Sequence, residues 1–365
     1  MRKILLLTIP VFLLFCLLTG CAQSEMPEMN LIYESHGDGT CAFIGIVEKE
    51  LLPDGVLTIP EINYRGETVT EIGSGVLYLD HDVRKVILPD TIEIISESAF
   101  SGSLIQEIRI PDSVRVIGPK AFADCMDLVS VDLGSGVAEI GFQAFSGCDI
   151  LETVRIPGSV KEFGMHIFED CYSLKSVYFD DGAESVGNYM FKNCNSLTAL
   201  SFPDTLRTVE YGAFSGCVSL RSVSFPDGVT KIESSAFYGC TALTHIEIPA
   251  SVRKIGIAVF DECPLFSHIL YAGTEEQFAQ VEKEDPFDIQ VRFGSYDCPR
   301  TEASDFFGEK SAYNPAWAII LTSAAAVFAV TGFFVIWQRK RIRGYTGQHA
   351  NPTNRSSGSG NSGKE

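Results

Sequence analysis

Cys217-Val-Ser-Leu220-Arg-Ser-Val223-Ser-Phe225-Pro226-Asp-Gly-Val229-Thr-Lys-Ile232-Glu-Ser-Ser-Ala236-Phe237-Tyr-Gly239-Cys240 is one copy of a unit that fills most of this 365-residue chain. Cysteines recur at Cys125, Cys148, Cys171, Cys194, Cys217, Cys240 and Cys263, always 23 residues apart, and Phe122, Phe145, Phe168, Phe191, Phe214, Phe237 and Phe260 keep the same step. A fixed period in the twenties specifies a solenoid, because a single unit cannot bury its apolar face and must stack on the next. Within the copy, Leu220, Val223 and Phe225 face inward along a strand while Ser222 and Ser224 face out. Pro226 lacks an N–H and ends the strand, Val229 and Ile232 start the return side, and Gly239 gives turn freedom before the next cysteine. About six buried apolar groups per rung, at ~1.5–3 kcal/mol each, supply the drive for stacking.

Working outward, Val69-Thr70-Glu71-Ile72-Gly73 begins the ladder, with Leu77 in the phenylalanine position. The step from Phe100 to Phe122 is one residue short and Ser103 takes the cysteine's place. The expectation is a β-rich, curved solenoid of parallel strands with about nine rungs over residues 69–271, closed by caps at 22–68 and 272–294. In the first cap, Cys41 to Val47 reads as a strand and Pro53-Asp54-Gly55 as a turn. His36, Asp38 and Thr40 lie among glycines in a spacing that fits neither a metal nor a phosphate loop, so they read as a turn.

Eleven cysteines in a secreted chain would ordinarily suggest disulfides. Here seven form a single column, an odd number at one repeat position, which favours packed, reduced thiols. Neighbouring rungs stand about 4.8 Å apart, so distance alone does not exclude a bond between them. Cys41 and Cys298 fall at opposite ends of a stack roughly 40 Å long and cannot pair.

The ends carry targeting signals. Arg2-Lys3, the apolar run Ile4 to Leu18 and small residues before Cys21 make residues 1–21 a secretory signal peptide. Residues 295–315 form a polar linker, and 316–337 is an uncharged stretch bounded by Trp317 and Trp337, long enough to span a bilayer. The basic run Arg339 to Arg343 in the tail 338–365 puts that tail in the cytoplasm and the solenoid outside. Ala325, Ala329 and Gly332 share one face of the spanning helix and would permit weak self-association. Eight of the 28 basic residues and one of the 47 acidic ones lie in the two ends, leaving 20 against 46 between, a net charge of −26. So acidic a surface repels nucleic acid.

No catalytic constellation, cofactor loop or metal motif accompanies the six scattered histidines, so an enzyme is not expected. The exposed strand positions form two columns, one from Lys85 through Glu107, Ser176 and Ser222 to His245 and His268, the other from Ile87 through Arg109, Asp132, Arg155 and Tyr178 to Glu247 and Leu270. Arg109, Asp132, Arg155 and Tyr178 on consecutive rungs, with His245 and Glu247 further along, are the candidate binding face, since interfaces favour charged and aromatic anchors. His245 and His268 should stand side by side on adjacent strands; a solvated pair and a pH-sensitive or metal-assisted contact both fit that placement.

The unit Cys-x-x-Leu-x-x-Val-x-Phe/Ile-Pro-x-x-Val-x-x-Ile-x-x-x-Ala-Phe resembles the BspA-like leucine-rich repeat of bacterial surface proteins, from about Val69 to Tyr271. Leu18-Thr19-Gly20-Cys21 similarly resembles the bacterial lipobox, which would make Cys21 the acylated first residue of a lipoprotein. Tyr271 to Phe278 resembles the family's closing segment, with Phe278 where Trp is usual. Gly134, Asp180 and Ala272 depart from the proline, departures expected to loosen individual turns. The resemblance implies a solenoid at the bacterial cell membrane, extracytoplasmic, that binds a protein or an envelope polymer in adhesion. A component of envelope assembly or sensing, held close to its own membrane by two anchors, is the other reading.

Overall fold

The structure, a computed structural model, describes residues 30–47, 52–284 and 289–294. The expectations for the signal peptide, Cys21, Cys298, the spanning segment 316–337 with Ala325, Ala329 and Gly332, and the tail fall outside those residues. Among the described residues no helix is long and apolar enough to cross a membrane.

Each rung contributes one strand of three or four residues to a face and a second strand to the return side, two residues long everywhere after Thr68–Ile72. The face strands Val56–Thr58, Lys85–Ile87, Glu107–Arg109, Ser130–Asp132, Thr153–Ile156, Ser176–Phe179 and Ala199–Ser201 pair in that order as a seven-stranded parallel sheet. Ser222–Ser224, His245–Ile248, His268–Tyr271 and Gln290–Phe293 continue the column as a four-stranded one. The return strands break two rungs earlier, between Glu162–Phe163 and Ser185–Val186, where the half-buried Phe163 replaces the buried Ile140 and Val186 of neighbouring rungs. Register follows the period: Thr153 lies opposite Ser176 and His245 opposite His268. The short rung carries through as Lys85 opposite Glu107.

Two expectations change. The caps are not separate from the ladder but part of it, giving about ten turns in place of about nine. At the start, Leu31–Ser35 and Thr40–Ile46 form an antiparallel hairpin whose second strand pairs in parallel with Thr68–Ile72, and Val56–Thr58 begins the face. The sequence His36 to Thr40 is this hairpin's turn, in which the Asp38 carboxylate accepts from the N–H and the hydroxyl of Thr40 at 2.9 and 2.6 Å. At the far end a helix, Glu275–Ala279, opens on a capping box between Thr274 and Gln277 and buries Phe278 against Tyr271, ring centroids 5.0 Å apart. Glu282–Lys283 and Gln290–Phe293 then add a last strand to each column. The second change concerns proline. Where Asp180 and Ala272 replace it, the restored N–H donates to Ile156 O and Ile248 O of the preceding strand at 2.9 and 3.0 Å, which extends the ladder instead of loosening it.

The core is built as columns. Phe100, Phe122, Phe145, Phe168, Phe191, Phe214, Phe237 and Phe260 stack nearly parallel, with centroid gaps running from 4.9 Å at Phe122–Phe145 to 6.2 Å at Phe237–Phe260. All seven ladder cysteines are free and buried. Each thiol donates to the carbonyl of the phenylalanine one rung back, as Cys217 does to Phe191 O at 3.2 Å and Cys240 to Phe214 O at 3.2 Å. The column ends N-terminally on Ser103, whose hydroxyl meets Cys125 Sγ at 3.6 Å, and on the buried Asp80, which accepts from the N–H groups of Asp82 and Val83.

Around each phenylalanine the backbone enters the left-handed region twice. Two residues before it stand Ser98, Lys120, Gln143, His166, Tyr189, Gly212, Ser235 and Ala258, all with φ between 51° and 62°. Two residues after it stand Gly102, Asp124, Gly147, Asp170, Asn193, Gly216, Gly239 and Glu262, with φ between 57° and 75°. Between these two positions every second N–H points along the stack, while the intervening ones close turns, Ala236 to Glu233 O and Tyr238 to Ser235 O. Ser235, Phe237 and Gly239 accordingly donate, each to the next rung, to Ile257 O, Val259 O and Asp261 O at 2.8, 3.1 and 2.8 Å. These turns therefore form a third hydrogen-bonded ladder, which outweighs a cost of about 1–2 kcal/mol for each non-glycine residue held there.

Candidate functional site: the outward strand face

Because strand side chains alternate, face strands such as Glu107–Arg109, Ser130–Asp132, Thr153–Ile156 and Ser222–Ser224 present their first and third residues outward while the second enters the core. The parallel register sets them in two columns that run the length of the stack. Arg109 lies opposite Asp132, and Arg155 opposite Tyr178. The four thus come together on four consecutive rungs. His245 and Glu247 lie on another part of the face, three rungs beyond Tyr178.

The charges in this cluster are already partnered. The Arg155 Nε–H reaches both oxygens of Asp180, at 2.8 and 3.0 Å. Arg109 spreads between Asp90 at 4.0 Å and Asp132 at 3.9 Å, with more than half of its side chain exposed. Ion pairs this open are worth ~0–1 kcal/mol and can exchange for others. Burial among the neighbouring strands raises the Asp132 carboxyl above its ordinary pKa, against the lowering effect of Arg109 and Arg155. One strand earlier, Lys85 pairs with Glu107. The face is therefore zoned: alternating charge from Lys85 to Asp180, small neutral residues at Ala199, Ser201, Ser222 and Ser224, then His245, Glu247 and His268.

Sequence reasoning missed Asp180 and Asp90 as members of the cluster. For Asp180 the signal was present as a departure from proline, since the same substitution that restores the N–H also brings a carboxylate beside Arg155. At Asp90, after Pro89, the chain turns out of the strand and no period fixes the side chain's direction.

His245 and His268 stand in register with their rings stacked, centroids 5.3 Å apart and planes 5° apart. Among the described residues no group of three or more His, Cys, Asp or Glu is arranged to hold a metal ion. A cavity of about 240 Å³ lies away from the face, at the C-terminal end of the phenylalanine column, lined by Ala258, Val259, Phe260, Cys263, Phe266 and Ile289.

The chain matches the BspA type leucine rich repeat region in six copies, over residues 57–175 and 163–279. No curated protein matches it over its sequence. Among solved structures it is similar to a leucine rich repeat protein of T. pallidum, with 28% identity, 54% of this chain and 90% of that one covered, and a TM-score of 0.49. It is also similar to a leucine rich cell surface protein of Faecalibacterium prausnitzii, with 19% identity, coverage of 71% and 97%, and a TM-score of 0.31. The pneumococcal vaccine antigen PcpA aligns at 18% identity, coverage of 73% and 92%, and a TM-score of 0.33. With well over half of its residues inside the matched repeat and the 23-residue ladder in place, the chain belongs to the BspA type leucine rich repeat family.

Proposed function

We propose that this chain is a non-enzymatic binding protein of the bacterial cell surface, anchored in the membrane, whose outward strand face takes a protein or an envelope polymer in adhesion or a related contact. The observation that carries this is the cluster of Arg109, Asp132, Arg155, Tyr178 and Asp180. It joins exposed, loosely paired charges to an aromatic ring on a rigid and nearly regular surface. Regular spacing along several rungs suits an extended partner better than a small molecule, which needs a concave site. Arg155 exchanges Asp180 for an acidic group of the partner, and Tyr178 supplies apolar contact with a polar tip.

The test is photo-crosslinking from position 178 on intact cells, with the captured macromolecule identified and the capture repeated in Arg155→Ala. The expected result is a captured partner lost in that variant while the melting temperature stays unchanged. Capture indifferent to Arg155→Ala, or a solenoid that added protease cannot reach on whole cells, would overturn the reading.

A further inference from the structure

The hydroxyls beside His245 and His268 bear on what the two rings present to solvent. Thr244 Oγ1 lies 3.0 Å from Arg221 O and also 3.0 Å from His245 Nδ1. Ser267 Oγ lies 3.0 Å from Thr244 O and 2.7 Å from His268 Nδ1. A hydroxyl has one hydrogen, which either the backbone carbonyl or the imidazole Nδ1 can take. When the carbonyl takes it, the oxygen accepts from Nδ1–H, and that tautomer leaves Nε2 with a bare lone pair. The two hydroxyls make the same pair of contacts on adjacent strands, and the stacked rings stand side by side.

We propose that His245 and His268 form a two-donor site for a borderline divalent transition metal such as Zn²⁺, bound through both Nε2 atoms at the surface. Neutral imidazole is a common ligand of such ions, and a ligating histidine characteristically donates its other N–H to a fixed acceptor, the part that Thr244 and Ser267 are placed to play. Metal–nitrogen bonds of about 2.0–2.1 Å require the two Nε2 atoms to approach within about 4 Å. The rings lie 5.3 Å apart and within 5° of parallel, so both must turn about their side-chain torsions until the two lone pairs converge, which brings the nitrogens to about 3.3 Å in tetrahedral geometry. Glu247, two residues from His245 on the same outward side, contributes negative charge nearby, and Arg292, across from Leu270, contributes positive charge. Two donors leave the ion's remaining positions to water or to a group from outside the chain, so the site goes beyond the adhesive reading and does not depend on it. The ion's preference follows the donors: nitrogen favours Zn²⁺, Ni²⁺ and Cu²⁺ over Mg²⁺ and Ca²⁺.

The experiment is a calorimetric titration of the full, tag-free chain with Zn²⁺ at neutral pH, alongside His245→Ala, His268→Ala and, as a control, His36→Ala. The wild type and His36→Ala should share one site that Mg²⁺ does not compete for. Each of the other two variants should weaken that site by on the order of 100-fold, because a single imidazole loses the second, intramolecular contact. A parallel Cu²⁺ titration read by electron paramagnetic resonance should show two equivalent nitrogens, reduced to one in either variant. Unchanged Zn²⁺ affinity in His268→Ala, a one-nitrogen spectrum in the wild type, or no Zn²⁺ binding would overturn the proposal.

Discussion

Replacing Phe191 by Leu should destabilise the chain more than the same change at Phe100, by about 1–3 kcal/mol. Phe191 stacks on Phe168 at 5.5 Å and Phe214 at 5.7 Å, and meets Phe179 edge-on at 6.1 Å and 85°. Phe100 has one such neighbour, Phe122 at 5.0 Å, because Leu77 occupies the rung before it. Both rings are fully buried, so the transfer and shape costs of Phe→Leu are common to the two sites. What differs is two aromatic contacts, each worth ~0.5–1.5 kcal/mol beyond area. Urea unfolding of the full chain by far-UV circular dichroism, with unchanged slope as the condition for comparing midpoints, reads the difference. A terminal rung could also suffer less because it frays. Phe122→Leu separates the two causes: Phe122 adjoins Phe100 in the stack but has two stacked partners, at 5.0 and 4.9 Å. It should cost ~0.5–1.5 kcal/mol more than Phe100→Leu if ring contacts decide. Equal costs at Phe100, Phe122 and Phe191 would refute the account.

Ala258→Gly should raise stability by up to ~1 kcal/mol, since it relieves a left-handed residue at φ 54°, whereas Gly216→Ala should lower it, its new Cβ falling 2.4 Å from Asn193 Oδ1; thermal melts check both signs. The ladder thiols should resist iodoacetamide in the native chain at pH 8 and react together on unfolding, as peptide mapping would show. Burial pushes Cys125 up to about 12 and Cys263 to about 11, so Cys263, the least buried of the seven, should be the first to react while the chain is still native. The Ser135 N–H and hydroxyl hold the Asp112 carboxyl below its ordinary value. Its folded-state pKa is depressed, so its contribution is complete above the unfolded value near 3.8 and fades as pH falls through the lowered one. Asp112→Asn should flatten that part of the acid limb of the stability curve, and an unchanged limb would show that the contact contributes nothing.

Register was legible because a 23-residue step leaves no freedom: once Cys217 and Cys240 occupy one position, Ser222 must face His245 and His245 must face His268. The second left-handed position was half legible through Gly216 and Gly239. The first was not, because Ser98, Lys120, Gln143, His166, Tyr189 and Ala258 share no chemistry. Their backbone is set by the hydrogen bonds to the next rung, a tertiary cause that leaves no mark on residue type. The caps escaped for a related reason. Val56–Thr58 and Gln290–Phe293 lie outside the cysteine period, yet each joins the ladder through backbone pairing, which any sequence of strand-forming residues can make. Asp180 marks where a visible irregularity was given the wrong consequence: the loss of proline was legible, the carboxylate's reach to Arg155 was not.

The separation between what repeats and what varies has an energetic basis. Thiol, ring and inward aliphatic positions each touch the same position on the rungs before and after, so a change at one is felt along a column. Outward residues make open contacts such as Arg155 with Asp180, worth ~0–1 kcal/mol, and a change there stays local. Arg155→Ala therefore removes a charge from the face at almost no cost to the fold. A histidine placed beside another, as at His245 and His268, likewise costs the fold little, since the backbone already supplies the spacing and a hydroxyl already stands at each Nδ1. A solenoid of this kind can acquire or lose a binding chemistry one rung at a time, and the face carries three different chemistries along one uninterrupted core.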